Sequence, residues 1–209
     1  YSDITHDKVN TFSLTDKSAN LYPGEINYSL DETTINLSFR DVKTINDNLV
    51  SGDMTLTVFA PGKYNVSNVL GIVLTAISLE IPKEKIIQGL ENYKGIPGRT
   101  NKRKIENITV IEEINPGINT KAIEESINMI SNMDDYLIAI GGDYGITCEE
   151  IDEKKVSKYL DNLESEIILT GEVGSSINEQ MKNKCKVIEN YNDVYDIALK
   201  NNKNLLFIY

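Results

Sequence analysis

Histidine is nearly absent from this chain: His6 is the only one in 209 residues. Cysteine is almost as scarce, and Cys148 and Cys185 stand neither in Cys-x-x-Cys spacing nor beside a histidine. That argues against a local zinc site and makes reduced, cytosolic thiols the expectation. His6 lies near the start and is expected to be solvated rather than catalytic. Long apolar runs are missing too. The stretch Val69–Ile77 is far shorter than the roughly 20 residues that span a bilayer, so no transmembrane helix is expected. No charged segment leads into an apolar one at the start, and no signal peptide is legible. Positive charge is in deficit, with 21 Lys and Arg against 32 Asp and Glu and a net charge of -11. This argues against a nucleic-acid partner, which needs a basic face to displace counterions. Finally, no Gly-x-x-x-x-Gly-Lys-Ser/Thr loop occurs, so any ATP chemistry must borrow its phosphate cradle.

What is present suits one large or two small folded domains, since 40% of the residues are hydrophobic. Val9–Leu14 reads as a short strand, and Thr34–Phe39 and Met54–Phe59 alternate apolar with polar as half-buried strands do. Turn-rich segments between them point to an antiparallel meander. From Asn65 the period changes. Val66, Val69, Leu70, Val73, Leu74 and Ile77 fall at helical spacing, and a second helix with Ile86, Ile87, Leu90 and Tyr93 starts with Pro82 in its first position. Gly95-Ile96-Pro97-Gly98 breaks the pattern, and the domain boundary is placed there, giving residues 1–97 and 98–209.

Beyond the break, strands alternate with helices: Ile105–Ile111, Tyr136–Ile140, Glu166–Thr170, Lys186–Glu189 and Leu205–Tyr209 read as strands. Continuous apolar strands separated by helices imply a mostly parallel sheet covered on both faces. Ligands collect at the carboxyl ends of such strands. Three strand ends carry polar or glycine-rich residues: Glu112–Gly117, Gly141–Gly145 and Thr170–Gly174. The basic residues Arg99, Lys102, Arg103 and Lys104 stand against an acidic background and read equally as a solvated hinge or a phosphate-facing cluster.

One segment carries more. Pro61-Gly62-Lys63-Tyr64-Asn65-Val66-Ser67-Asn68 sets two carboxamides at a helix start, where one can cap and the other can face a planar polar ligand. About thirty residues later Ile96-Pro97-Gly98-Arg99 presents an arginine ahead of the strands. A planar, bidentate donor suits a phosphate or carboxylate oxygen. This order of parts resembles the Mur ligase family, ATP-dependent enzymes that join a carboxylate to an amine. There, Gly-x-His-Asn-x-x-Asn ends the ATP-binding domain and Gly-Arg opens the C-terminal domain.

The resemblance implies an α/β fold: the incomplete β/α tail of an ATP-binding domain in residues 1–97, then a Rossmann-like, mostly parallel C-terminal domain in 98–209. It implies ATP as cofactor, with Mg2+ held mostly by an upstream part of the chain, and a carboxylate substrate activated as an acyl phosphate. Tyr1 stands in mid-pattern, so the chain is expected to lack the N-terminal part of its own enzyme and to be catalytically silent alone. Tyr64 replaces the family histidine and offers an aromatic face; Asn65 and Asn68 match the paired asparagines, one of which meets adenine. Arg99 matches the arginine that contacts nucleotide when the domain closes. In place of the family's Asp-Tyr-Ala-His-x-Pro stands Glu112-Glu113-Ile114-Asn115-Pro116, which assigns the ribose to Glu113 or Glu112 and the acyl-phosphate side to Asn115. Asn115, Gly117 and Asn119, with Gly142, Asp143 and Tyr144 of a Gly-Gly-Asp turn, are the substrate-side candidates. No metal ligand is assigned within the chain. The family's Asp-Asn-Pro-Arg amino-acid clamp has no counterpart near Thr170, which argues against a standard muramyl-peptide substrate. The Asn-Pro-Gly-Ile-Asn variant is similar to archaeal Mur-like ligases, either the cyclising synthetase of the methanogen nickel-tetrapyrrole cofactor, the preferred reading, or the pseudomurein peptide ligases. The alternative from another class is a non-catalytic α/β module that binds a small ligand.

Overall fold

The structure is a computed structural model that describes residues 9–114, 119–131, 133, 135–145 and 151–209. Two compact units meet in sequence between Lys94 and Gly95.

In the first unit, β1 (Leu21–Asn27), β2 (Thr33–Lys43) and β3 (Leu49–Val58) form an antiparallel sheet in the order β1-β2-β3. Alternation does what it should: Ile35 and Leu37 are buried opposite Leu56 and Met54, while Asn36 and Thr55 between them are exposed. The strand expected at Val9–Leu14 is a single bridge, Phe12 to Leu21. The real third strand is β1, whose Pro23-Gly24 reads as a turn. Proline is tolerated there because β1 lies at the sheet's edge and need not donate from every position.

Helix α1 (Gly62–Ser78) packs on β1 and β2, and α2 (Lys83–Glu91) packs on β3. The apolar stripe of α1 is buried from Val66 to Ile77, each large side chain contributing about 1.5–3 kcal/mol by leaving water. Its start corrects the sequence reading. The N-cap is Pro61, with no side-chain cap bond, so Asn65 and Asn68 lie within the first two turns and neither caps the helix. Pro82 likewise is the N-cap of α2 rather than its first helical residue. Between the helices Glu80 takes a left-handed conformation (φ 59°). Its carboxylate accepts hydrogen bonds from Thr44 Oγ1 (2.6 Å), Asn46 Nδ2 (2.6 Å) and Asn48 Nδ2 (2.8 Å), pinning the helical corner to the β2–β3 turn.

The second unit is a six-stranded sheet of order β4-β5-β9-β6-β7-β8, built from β4 (Asn101–Ile105), β5 (Ile108–Glu113), β6 (Tyr136–Gly141), β7 (Glu166–Thr170), β8 (Lys186–Ile188) and β9 (Asn204–Ile208). All neighbours run parallel except β4, which pairs antiparallel with β5. The mixed α/β architecture with a mostly parallel sheet is the one read from the sequence. The single strand expected at Ile105–Ile111 is instead a hairpin, turned at Glu106 (φ 51°) and Asn107. Lys102, Arg103 and Lys104 of the basic cluster thus lie on an edge strand, where exposed charge discourages pairing with another sheet, while Arg99 precedes it.

Helix α3 (Thr120–Ile130) packs against α4 (Glu153–Leu160), α4 also packs against α5 (Gly171–Gln180), and α5 lies on β6, β7 and β8. Asn119 and Asp152 cap α3 and α4 by accepting from Ala122 N (3.1 Å) and Lys155 N (3.0 Å). Helix α6 (Asn192–Lys200) packs on β9. Its buried Val194 and Ala198 pack on an apolar layer that includes Ile108, Val110, Ala139 and Phe207. The Thr170–Gly174 strand end runs from β7 directly into α5, with Thr170 as the N-cap. No helix among the described residues is long and apolar enough to cross a membrane.

Candidate functional site

In the first unit, a cleft of about 360 Å³ opens between α1 and α2, within the ~300–1,000 Å³ range of small-molecule sites. Val69, Ile72, Ile86, Phe59 and Tyr93 make its apolar walls, and Asn65 and Asn68 are among its lining residues. The spacing explains this: residues three apart share a helix face. Asn65 Nδ2 donates to Pro61 O (2.7 Å), which fixes that side chain against the start of α1. Asn68 is exposed. Apolar walls with a carboxamide that both donates and accepts suit a flat, nitrogen-rich ring. Tyr64 is 70% exposed and is not among the cleft's lining residues.

In the second unit the adjacent glutamates at the end of β5 point to opposite faces, as neighbouring strand residues must. Glu112 goes to the α6 side. Its Oε1 accepts from Arg103 Nε (3.1 Å), Arg103 Nη2 (2.6 Å) and Tyr195 Oη (3.0 Å), and its Oε2 from Asn101 Nδ2 (3.4 Å). Burial works to raise the Glu112 pKa, but these donors outweigh it and hold the carboxyl below its usual range. Burial and the neighbouring carboxylate push the Tyr195 hydroxyl up to about 12.

Glu113 goes to the other face and is half-buried. Burial raises its pKa, with Thr100 and the Arg99 charge only partly offsetting it. Arg99 itself is exposed, and the segment around it is held by Ile114 N donating to Gly98 O (2.7 Å). Gly98 needs its glycine, with φ 79°. A half-buried carboxylate next to an arginine can accept paired hydroxyls while the guanidinium takes an anionic oxygen.

The ends of β6, β7 and β9 meet beside these residues in the sheet order. Gly141 is forced: a Cβ there would lie 2.0 Å from Thr170 O. Gly142 has φ 149°, and Asp143 accepts from Tyr209 Oη (3.1 Å), while Tyr209 N donates to Glu113 O (3.0 Å). Tyr209 therefore links the β5 and β6 ends, a role that nothing in its place at the end of an apolar strand announced. Tyr144 N donates to Glu172 Oε2 (3.2 Å), and the Tyr144 hydroxyl donates to Glu153. Asn119 is occupied as the cap of α3. Asn115 and Gly117 lie outside the described residues.

Solved Mur ligases share this fold, in which a small antiparallel sheet with a helical pair is followed in sequence by a mostly parallel sheet with an antiparallel edge hairpin. MurF from Acinetobacter baumannii superposes with a TM-score of 0.73 at 17% identity, over 95% of this chain and 42% of that one. MurF from Thermotoga maritima, solved in complex with ADP, gives 0.66 at 12% identity, over 92% and 43%. Likeness at these identities shows the fold. The sequence goes further. Residues 102–209 match the family model described as "Coenzyme F430 synthetase CfbE, C-terminal domain", and the chain belongs to that family of archaeal Mur-like ligases. The coenzyme F(430) synthetase of Methanocaldococcus jannaschii is 38% identical over 97 residues, which is 46% of this chain and 24% of that protein. The chain thus spans about a quarter of the length of that relative.

Proposed function

We propose that the chain supplies the base- and ribose-binding portion of an ATP-dependent ligase that activates a substrate carboxylate as an acyl phosphate. An amine or another nucleophile then attacks the activated carbonyl. The names of the matching family model and of the Methanocaldococcus jannaschii relative support coenzyme F430 synthesis as the setting, and so the nickel-tetrapyrrole reading over the pseudomurein one. The carrying observation is the family match of residues 102–209. The cleft with Asn65 and Asn68 on its lining supports the nucleotide assignment.

In this reading Asn68 reads the adenine edge from the α1–α2 cleft, and Asn65 is the more fixed of the pair. Glu113 accepts from the ribose hydroxyls, and Arg99 neutralises phosphate oxygen as charge moves to the leaving ADP. Glu112, already holding four donors, is the poorer ribose candidate. Gly142, Asp143 and Tyr144 face the substrate side. Mg2+, if used as the resemblance to Mur ligases implies, would be held mostly by residues upstream of this segment, and no step here runs through it.

The test is Asn68→Ala in the full-length enzyme. Loss of a cap would lower stability by about 1 kcal/mol and leave nucleotide affinity alone. Because Asn68 does not cap α1, the expected result is the reverse: weaker ATP binding by calorimetry with an unchanged melting temperature. Normal ATP affinity would remove the adenine assignment.

A further inference from the structure

The cluster of Arg103, Glu112 and Tyr195 has no part in the nucleotide contacts above, yet four hydrogen bonds converge on the Glu112 carboxylate. It joins three elements. Arg103 comes from the edge strand β4, Glu112 from β5 and Tyr195 from α6. Arg103 closes a fork on one carboxylate oxygen, the Tyr195 hydroxyl meets the same oxygen, and the guanidinium lies 5.5 Å from the Tyr195 ring centre. Asn101, directly across the ladder from Glu112, adds a further donor.

Its position in the hairpin gives it a job. β4 is five residues long, lies at the sheet's edge and is paired on one side only. Its amino end leads straight back into Thr100 and Arg99, and Thr100 is the group that hydrogen-bonds Glu113. The backbone ladder alone leaves the end of a short edge strand free to fray. The fork from Arg103 to Glu112, together with the Asn101 contact, fastens that end to β5 from the opposite face. Tyr195 fastens the pair to α6, where its ring also meets Phe207 edge-on at 5.5 Å. A planar guanidinium is suited to such a clamp because its fork fixes direction as well as distance.

We infer that Arg103, Glu112 and Tyr195 are positioning residues: they hold the β4–β5 hairpin so that Thr100, Arg99 and Glu113 present a preorganised nucleotide contact. This rests on the assignment of Glu113 to the ribose. Preorganisation lowers the cost of ordering at the moment of binding, so its loss reads out as affinity for the nucleotide.

The experiment uses the full-length enzyme with ATP and 2′-deoxy-ATP, and compares Arg103→Lys and Tyr195→Phe in the native and Glu113→Ala backgrounds. Tyr195→Phe removes one hydroxyl and keeps the ring, so it remains informative if Arg103→Lys folds poorly. In the native background both variants should raise the KM for ATP, Arg103→Lys by about tenfold, with kcat at saturating ATP within about twofold, and both should reduce the preference for ATP over its deoxy analogue. In the Glu113→Ala background the same substitutions should change KM little, because the contact they position is already gone. Equal effects in both backgrounds, or a lowered melting temperature with an unchanged KM, would overturn the inference while leaving the ribose assignment intact. If Glu113→Ala alone left the ATP preference untouched, the ribose assignment would fail and this inference with it.

Discussion

Two glutamates adjacent in sequence should respond to pH with opposite sign. Glu112→Ala deletes the acceptor of the Arg103 fork and of Tyr195. Breaking a buried ion pair costs about 3–5 kcal/mol, but Arg103 is 46% exposed, so part of its charge remains in water. Hydrogen bonds to a charged group are worth about 1.5–3 kcal/mol. The loss should therefore be about 2–3 kcal/mol, a melting-temperature drop of roughly 10 °C for a unit of this size. Glu112→Gln isolates the charge. The folded pKa of Glu112 lies below the ordinary 4.5, so its ionisation stabilises the fold at neutral pH, and that contribution disappears as pH falls through the folded value. The glutamine variant should melt below the native chain at pH 7 and converge with it in acid. Glu113 runs the other way. Its folded pKa lies above 4.5, so its ionised form is a cost that sets in as pH rises through that value. Glu113→Gln should melt above the native chain at pH 7 and lose the advantage near pH 4. Thermal melts of the 209-residue chain across this range provide the assay. Two glutamine variants shifted in the same direction at pH 7 would refute the assignment of the side chains to opposite environments.

Gly141→Ala places a methyl group 2.0 Å from the Thr170 carbonyl oxygen, where backbone and not a side-chain rotamer must yield. A loss above ~3 kcal/mol is expected from overpacking plus a broken β6–β7 contact, whereas Gly89→Ala, with nothing within 4 Å, should be neutral or slightly stabilising. Chemical denaturation distinguishes the two. Arg99→Ala should lower turnover of the full-length enzyme by at least ~100-fold with little change in melting temperature, because the side chain is exposed. Unaltered steady-state kinetics would mark this arginine as ordinary surface.

Much of the architecture was legible because burial leaves a period in the sequence. The α1 stripe from Val66 to Ile77 and the apolar strand at Tyr136–Ile140 each announced their class and neighbours. What stayed hidden has physical reasons. β1 carries Pro23-Gly24, a turn signal that an edge strand overrides, and β4 is too short and too charged to show alternation. Its merger with β5 concealed the hairpin. That error carried into the site, since only the hairpin register shows Arg103 and Asn101 on the face of Glu112. The choice between Glu112 and Glu113 was open for the same reason: strand parity separates neighbouring residues, but sequence does not say which face is engaged. Tyr195 and Tyr209 gave no signal, because both act through contacts with residues more than sixty positions away.

The acyl-phosphate step is tested most directly by the fate of the substrate oxygen. In that mechanism a carboxylate oxygen attacks the γ-phosphorus and ADP leaves; the nucleophile then expels phosphate, which carries that oxygen away. With the full-length enzyme and a carboxylate substrate labelled with ¹⁸O, mass spectrometry of the inorganic phosphate should find one labelled atom per turnover, alongside ADP. Unlabelled phosphate, or AMP and pyrophosphate as the products, would contradict the assignment of this chain to a ligase that works through an acyl phosphate.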